Sequence, residues 1–467
     1  MASSDITTPI ETLRARFGAQ LAARVPEHLE RLRWSAARLA DHQRDRVRAL
    51  LRHTLEHSPF HARRLRGIDP DRFELADLPS LPTMSKAEMM ASFDDVVTDR
   101  RLSVQLANDH LARSAVEPGL LHDEYVCLAS GGSSGLRGVF VQRLEEFAEF
   151  GTSIVRQGIA RQMAAGGTGA CAPESTVVAA IMAVSPVHAS GFGAAMLTGP
   201  VRFVTVPATL PIVDAVDRLN ALQPPALMGY ASKLVQLARE QLAGRLAIAP
   251  RAVTATSEQL TAEARATITA AFGVPVVDQF ASTEGLVGHS EPGGSVLTFA
   301  TDMCIVELVD AENRIITDGA VSARILVTNL HNLTQPLIRY ELTDRFERYP
   351  FLNGSGYLRA EIGGRAEDVF KYGAVDVHPV VFDTVIIRIP SIVEYQVRQT
   401  ASGVDVDVVA RGDVDVAELA SAIGDRLRHA GVAKPSVTVG VVEALPRHPQ
   451  TGKIRRFVSR TSAGERR

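Results

Sequence analysis

Four stretches of this chain place hydroxyl, carboxylate or cationic side chains beside glycine or at the ends of apolar segments. They are "SGGSSGLRG" (130–138), "DQFASTEG" (278–285), "PLIRYELTDRFE" (336–347) and "LPRHPQTGKIRR" (445–456). The first stretch follows the apolar run "YVCLA". Glycine lets backbone N–H groups approach an anion and serine adds donors, so this loop suits a phosphate, with a plain turn as the alternative. It lacks the lysine of the P-loop pattern GxxxxGK[ST].

The other three stretches supply charges suited to a bound nucleotide. Glu284 comes where an apolar strand ends, which is where ligands bind in α/β sheets. A carboxylate there suits a hard cation such as Mg²⁺, and a helix beginning at Thr283 is the alternative. Asp344 offers two oxygens for a pair of hydroxyls, or is an ordinary turn residue. Lys453 follows Gly452 in a turn, and a solvated lysine in a basic tail is its alternative.

Composition restricts the class of protein. The chain has 467 residues, of which 46% are hydrophobic and 22% charged, an ordinary globular balance that predicts at least two domains. Fifty basic and 53 acidic residues give a net charge of −3, which indicates neither a nucleic-acid nor a membrane partner. We expect no signal peptide or spanning helix, and a cytoplasmic setting. Cys127, Cys171 and Cys304 are predicted to be small buried residues rather than disulfides or metal ligands.

The elements that must position these stretches follow from periodicity. Residues 10–66 are predicted to be helical, interrupted at Pro26 and Pro59, and Ser85 with Glu88 forms a capping box that begins another helix. From about residue 125 strands and helices alternate, which predicts an α/β fold with a large mixed sheet covered by helices on both faces. Gly363 and Gly364 mark a boundary, giving domains at 1–364 and 365–467, the second a small mobile α+β unit.

Together, the four stretches resemble the signature motifs of the adenylate-forming superfamily of acyl-CoA synthetases. The N-terminal "LLRHTLEHSPFHARRLRG" and "DLPSLPTMSKAEM" extend the resemblance to the phenylacetate–CoA ligase-like branch, from about residue 45 to 456. The family makes an acyl-adenylate and pyrophosphate from ATP and a carboxylic acid, then usually transfers the acyl group to a thiol. The resemblance implies ATP, Mg²⁺ and CoA as cofactors and co-substrate.

The resemblance also assigns roles by position. The β- and γ-phosphates of ATP would lie against Ser130, Gly132, Ser133, Ser134 and Gly135, with Arg137 nearby in place of the usual residues. Magnesium would be held by Glu284 beside Thr283. The adenine would lie against Ser257, Glu258, Gln279 and Phe280. The ribose hydroxyls would bind Asp344, and Arg365 would contact the ribose or a phosphate. The acid would lie near His188, Phe192, Tyr230, Ala281, Ser282 and Gly285, although His188 also suits a core histidine. Glu367 would be the hinge, and Lys453 would act on the α-phosphate.

The leading interpretation is therefore an AMP-forming ligase that activates an aryl or arylalkyl carboxylic acid for transfer to CoA. A second interpretation keeps the adenylation chemistry but changes the acceptor to a carrier protein or amine, or activates nitrite to diazotise an arylamine. A third, of another class, is a non-catalytic nucleotide-binding protein. The partners expected are a small-molecule acid, ATP and a thiol or amine. The oligomeric state stays open, a homodimer included.

Overall fold

The computed structural model describes most of the chain. The residues described are 9–114, 116–130, 138–164, 176–197, 201–352, 354–365, 369–373, 375–377, 380–386, 389, 391–410, 412–447 and 454–460. All secondary-structure elements named below lie within these ranges.

Helices dominate the N-terminal region, as predicted. They are α1 (Ile10–Arg31), α2 (Ala36–His57), α3 (Pro59–Arg64), a 3₁₀ turn (Leu75–Ser80), α4 (Lys86–Ala91), α5 (Phe93–Val96) and α6 (Val104–Arg113). Pro59 begins α3, and Ser85 with Glu88 forms the predicted capping box of α4. The interruption predicted at Pro26 was wrong, because this proline lies inside α1. Buried side chains on either side of it, Phe17 and His28, hold the helix despite one lost backbone hydrogen bond.

A nine-stranded mixed sheet forms the centre of the large unit. Its strands are β3 (Thr176–Met182), β4 (Val201–Pro207), β5 (Ala226–Tyr230), β6 (Ala252–Thr256), β7 (Val276–Ala281), β8 (Val287–Ser290), β9 (Leu297–Phe299), β13 (Asp344–Tyr349) and β14 (Arg359–Arg365). Their order is β13-β14-β9-β8-β7-β6-β5-β3-β4. Strands β3 to β7 pair in parallel and the remainder antiparallel, which confirms the mixed sheet.

The sheet has a topological switch between β3 and β5. The chain leaves β3 toward β4 on one side and leaves β5 toward β6 on the other. Crevices that bind ligands open at the carboxyl ends of strands at such a point. The sheet therefore predicts a site near Met182 and Tyr230, the last residues of β3 and β5.

Helices cover the large sheet. They are α7 (Leu144–Ala164), α8 (Ala189–Met196), α9 (Ile212–Leu222), α10 (Ala231–Leu242) and α11 (Ala262–Phe272). One core packs Ala179 and Ile181 of β3 against α9, α10 and α11. Met182 belongs to a different cluster, as the strand alternation requires.

Two smaller sheets complete the large unit. One is the hairpin of β1 (Tyr125–Ala129) and β2 (Val139–Arg143), which brackets the Gly/Ser stretch. The other joins β10 (Cys304–Val309), β11 (Arg324–Asn329) and β12 (Tyr340–Leu342). Cys127 and Cys304 are buried in these strands, as predicted, and Cys171 lies outside the described residues.

The C-terminal region is a smaller α+β unit, as predicted. It contains β15 (Phe370–Tyr372), β16 (Val375–Val377), α12 (Val380–Ile386), β17 (Ile392–Gln399), β18 (Gly403–Ala410), α13 (Val416–His429), β19 (Ser436–Val441) and β20 (Phe457–Val458). A four-stranded sheet of order β19-β18-β17-β20 packs against α13 around its own core. Gly363 and Gly364 lie inside β14, so the predicted boundary falls at the last residue of a strand of the large sheet.

Candidate active site

The first described residue of the Gly/Ser stretch is fixed by the β1–β2 hairpin. Ser130 donates its N–H to the Gly138 carbonyl at 2.9 Å, and its Oγ accepts from the Gly138 N–H at 3.0 Å. A Cβ at Gly138 would lie 2.9 Å from that Oγ and 2.8 Å from the Phe140 ring, so this position requires glycine. The hairpin thus closes the loop at its base.

Lys86 lies beside the Gly/Ser loop, a placement that no sequence motif predicts. It is the first residue of α4, and its Nζ lies 3.5 Å from Ser130 Oγ. The Ser85–Glu88 capping box fixes where α4 begins, and this capping box was visible in the sequence. The lysine therefore adds a positive charge at the base of the Gly/Ser loop.

Glu284 lies in a tight turn between β7 and β8, and it is 6% exposed. Its backbone carbonyl accepts from Asn329 Nδ2 at 2.8 Å. The helix start considered at Thr283 was wrong, because the chain turns back here as Ser282 and Leu286 pair. Burial raises the pKa of the Glu284 carboxyl, the Lys86 ammonium lowers it, and the Asp344 carboxylate raises it.

Glycine is required beside this carboxylate. Gly285 has a φ of +103°, and a Cβ there would lie 2.3 Å from Asn329 Nδ2 and 2.8 Å from the His331 ring. The turn can therefore pack closely on Asn329 and His331 only without a side chain. Asn329 in turn accepts the N–H groups of His331 and Asn332 at 2.9 Å each. Neither Asn329 nor His331 was predicted, because nothing in the sequence shows which turn they support.

The surroundings of Glu284 fit a hard cation. Burial and, after it, the nearby Glu284 charge raise the pKa of Tyr340, and its buried hydroxyl has no hydrogen-bond partner among the described residues. Mg²⁺ prefers one or two carboxylates and completes its shell with phosphate oxygens and water. The Glu284 carboxylate and the unpaired Tyr340 hydroxyl match this small requirement for protein ligands. Among the described residues there is no group of three or more His, Cys, Asp or Glu side chains that could hold a metal ion without a nucleotide.

The predicted nucleotide contacts lie at the ends of β6, β7 and β13. Ser257 follows β6 with a left-handed φ of +64°, and Glu258 Oε2 accepts the Ser232 N–H at 2.9 Å at the start of α10. Asp344 is half-buried and its backbone pairs with Arg365 of β14. Phe280 is half-buried, and its ring meets Phe346 edge to face at 5.3 Å. These placements leave the adenosine roles as predictions.

A mostly apolar cavity of about 160 Å³ opens at the switch point. Its polar or turn residues include His188, Tyr230, Thr256, Ser257, Gln279, Ser282 and Thr283. Its apolar walls include Phe17, Phe147, Phe150, Ile154, Val155, Met182, Leu197, Phe203, Met228 and Ala281. Thr283, the neighbour of Glu284, lines it as well, so the cavity and the carboxylate share one turn.

Two side chains fix the polar rim of this cavity. Tyr230 accepts the Ala183 N–H at 3.0 Å through its hydroxyl, and burial raises its pKa to about 12. His188 Nδ1 lies 3.2 Å from the Ala129 carbonyl, beside the Gly/Ser loop. Phe192, predicted to face the acid, does not line the cavity. Its ring packs edge to face on Phe147 at 5.1 Å. Gly285, also predicted to lie near the acid, is not among the lining residues either, and it faces Asn329 and His331.

Several predicted residues lie outside the described residues. They are Gly132, Ser133, Ser134, Gly135, Arg137, Glu367 and Lys453, together with the side chain of Arg365. Their roles stay predictions. The described residue nearest in sequence to Lys453 on the N-terminal side is Arg447, which pairs with Glu394 of β17. Gln236 of α10 donates to that same carboxylate, so the small unit contacts the large one here.

Comparisons with known proteins identify the fold. No family model matches the chain. Protein CapK of Staphylococcus aureus is 30% identical over 136 residues, a match that spans 28% of that relative's length. The solved structure of 2-hydroxyisobutyryl-CoA ligase, in the postadenylation state with 2-HIB-AMP, covers 91% of this chain at 17% identity and a TM-score of 0.69, over 90% of its own length. The chain has the acyl-CoA ligase fold.

Two further findings refine this likeness. A benzoate-CoA ligase from Burkholderia xenovorans LB400 covers 71% of the chain and 67% of its own, at 20% identity and a TM-score of 0.51. The 2-hydroxyisobutyryl-CoA ligase in its thioesterification state covers 92% of this chain and 91% of its own length, with a TM-score of 0.55. The TM-score for its postadenylation state is 0.69. Both states of that ligase thus share the fold of this chain. The fold predicted from the four motifs is confirmed, and the phenylacetate–CoA ligase-like branch stays a prediction.

No helix within the described part of this fold is long and apolar enough to cross a membrane.

Proposed function

We propose that this chain is an ATP-dependent, AMP-forming ligase that activates an aryl or arylalkyl carboxylic acid and transfers the acyl group to CoA. The observation that carries the proposal is the β7–β8 turn. Ser282 and Thr283 of this turn line the apolar cavity, and the buried carboxylate of Glu284 lies within the field of Lys86. An acid in the cavity would therefore meet a nucleotide phosphate held over the turn.

The cavity supports an acid with one compact apolar group. Its volume of about 160 Å³ is close to the roughly 150 Å³ of an apolar protein cavity that holds one benzene molecule. None of its described lining residues is Lys, Arg, Asp or Glu. Because burying an unpaired charge costs much free energy, the tail of the acid should carry none. An uncharged single ring satisfies both conditions.

The first half-reaction follows from this placement. A carboxylate oxygen of the acid attacks the α-phosphorus of ATP, the bond to the β-phosphate oxygen breaks, and pyrophosphate leaves. Lys86 adds positive charge at the base of the phosphate loop, 3.5 Å from Ser130 Oγ. Glu284 would hold Mg²⁺, and the bound ion would supply positive charge against the phosphates. We assign the α-phosphate contact to Lys453 and the ribose hydroxyls to Asp344, as the motif resemblance implies.

The second half-reaction consumes the adenylate. The thiol of CoA attacks the acyl carbon, AMP leaves with the oxygen that linked it to the acid, and the thioester forms. We propose Glu367 as the hinge for the rotation that admits the thiol, with the small unit at residues 365–467 as the moving part. The solved thioesterification state of 2-hydroxyisobutyryl-CoA ligase contains both 2-HIB-AMP and CoA, which supports CoA as the acceptor.

Pyrophosphate release from ATP tests the proposal. The assay uses Mg²⁺ and a panel of acids, with and without CoA, and a parallel arm with nitrite and an arylamine. We expect release that depends on an aryl or arylalkyl acid, and a thioester when CoA is present. Release only with nitrite and the amine would instead identify a diazotase. Absence of release in all arms would indicate a nucleotide-binding protein without this activity.

A further inference from the structure

The far wall of the cavity comes from the N-terminal helix. Phe17 of α1 lines the cavity and is 1% exposed. Its ring lies 5.6 Å from that of Phe147, a cavity residue of α7. Leu13, one turn earlier on α1, is equally buried but is absent from the lining. A residue more than 260 positions before the β7–β8 turn along the chain thus takes part in the cavity.

Helix α1 is fixed to the other two helices that form the cavity. Arg14 Nε donates to the Ala195 carbonyl of α8 at 3.0 Å. Arg24 Nε and His28 Nε2 lie 3.0 and 2.9 Å from the Glu149 carboxylate of α7. These contacts flank Phe17 on both sides along the helix. The position of its ring is therefore set by the same helices that carry the rest of the wall.

Two glycines show where the cavity is tight and where it is open. A Cβ at Gly151 of α7 would lie 3.1 Å from Phe17 Cζ, so glycine admits the phenyl ring there. A Cβ at Gly193 of α8 would have no heavy atom within 4 Å, although Gly193 lines the same cavity. Neither glycine has a positive φ, so alanine at either position suits the backbone.

We propose that Phe17 is a specificity-determining residue that limits the acid to a single ring. The inference rests on the proposed function and goes beyond it by assigning the size limit to α1. Shortening Phe17 lengthens the cavity toward α1, whereas a methyl group at Gly193 shortens it from α8. The two changes should therefore alter the preferred ring size in opposite directions.

The test compares benzoate with 2-naphthoate as probes. The measured quantity is the ratio of kcat/KM for 2-naphthoate to that for benzoate in acid-dependent pyrophosphate release. For Phe17→Ala we expect the ratio to rise about tenfold or more, because differences of a few carbon atoms in an apolar pocket change kcat/KM by that order. For Gly193→Ala we expect it to fall several-fold. Leu13→Ala is the matched control, since it shortens an equally buried side chain of α1 outside the lining and should leave the ratio unchanged.

Further outcomes separate this inference from the proposed function. Phe17→Leu provides the same comparison with a smaller expected rise if Phe17→Ala does not fold. The shift in melting temperature on adding each acid reports binding without turnover. Opposite size preferences in binding, without pyrophosphate release in the wild type, would support the pocket and overturn the ligase. An unchanged ratio in a folded Phe17 variant, or a wild type that prefers 2-naphthoate, would overturn the inference.

Discussion

Lys86 Nζ lies 3.5 Å from Ser130 Oγ, at the base of the hairpin loop proposed to hold phosphate. The same ammonium lowers the pKa of Glu284 against the effect of burial. One lysine thus faces both the proposed phosphate loop and the proposed metal carboxylate. Lys86 belongs to helix α4 and Glu284 to the β7–β8 turn, so the N-terminal helices and the large sheet both contribute to the candidate site.

Replacing this lysine should weaken the binding of ATP more than the binding of the acid. A hydrogen bond to a charged group contributes about 1.5–3 kcal/mol, so Lys86→Met should raise the KM for ATP by roughly tenfold or more. The KM for the acid should change little, because Lys86 does not line the cavity. Arg113→Met, at the exposed end of α6, is the control for loss of a cation. Equal changes in both KM values would contradict the phosphate role.

Magnesium dependence should vary with pH through Glu284. Burial raises its pKa, so on acidification the folded protein takes up this proton earlier than an exposed glutamate would. Protons and Mg²⁺ compete for the carboxylate, so apparent Mg²⁺ affinity should fall as the pH falls and recover as it rises. Glu284→Gln should show weak Mg²⁺ dependence of pyrophosphate release at every pH. A wild-type Mg²⁺ requirement that does not change with pH, or one kept by the variant, would remove Glu284 from the metal site.

Gly285→Ala should disturb the turn that carries Glu284. The added Cβ would lie 2.3 Å from Asn329 Nδ2 at a φ of +103°, so strain and a clash combine. Gly273→Ala is the matched control, because Gly273 also has a positive φ (+69°) but nothing within 4 Å of a Cβ. We expect each to lose about 1 kcal/mol or more of unfolding free energy, with the larger loss at Gly285. Only Gly285→Ala should also lower activity under conditions where the protein stays folded.

Much of this site could be predicted from the sequence. Glu284, Asp344 and Ser130 were proposed as site residues because strand ends, glycine and oxygen-bearing side chains leave local signals, and their roles stay predictions. Lys86, Asn329 and Phe17 were not predicted, since each reaches the site by tertiary packing against residues more than 40 positions away along the chain. Phe192 was predicted to lie near the acid; its ring packs on Phe147, a residue of the cavity wall, and Phe192 itself is not among the lining residues. Pro26 shows a limit of predicting the fold from local sequence. Local propensity would end the helix at this proline, but buried side chains before and after it keep α1 continuous.

Lys453 should matter in only one half-reaction. A lysine at the α-phosphate stabilises charge that develops as the acid attacks, and loss of one such donor costs about 10²–10³ in rate. Lys453→Ala should therefore lose adenylate formation but largely keep thioester formation from a supplied acyl-adenylate. The comparison is single-turnover kinetics of each half-reaction, with Arg460→Ala as a control near the same end of the chain. Equal losses in both halves would contradict a rotation between two orientations.

Acyl activation through AMP is the central claim, and an oxygen label tests it most directly. Benzoate carrying ¹⁸O in both carboxylate oxygens is incubated with ATP, Mg²⁺ and CoA, and the products are analysed by mass spectrometry. Attack of the carboxylate on the α-phosphorus transfers one labelled oxygen to the phosphate of AMP, and the thioester keeps the other. We predict one ¹⁸O in AMP and none in pyrophosphate. Label in inorganic phosphate with release of ADP, or unlabelled AMP beside a thioester, would contradict the account.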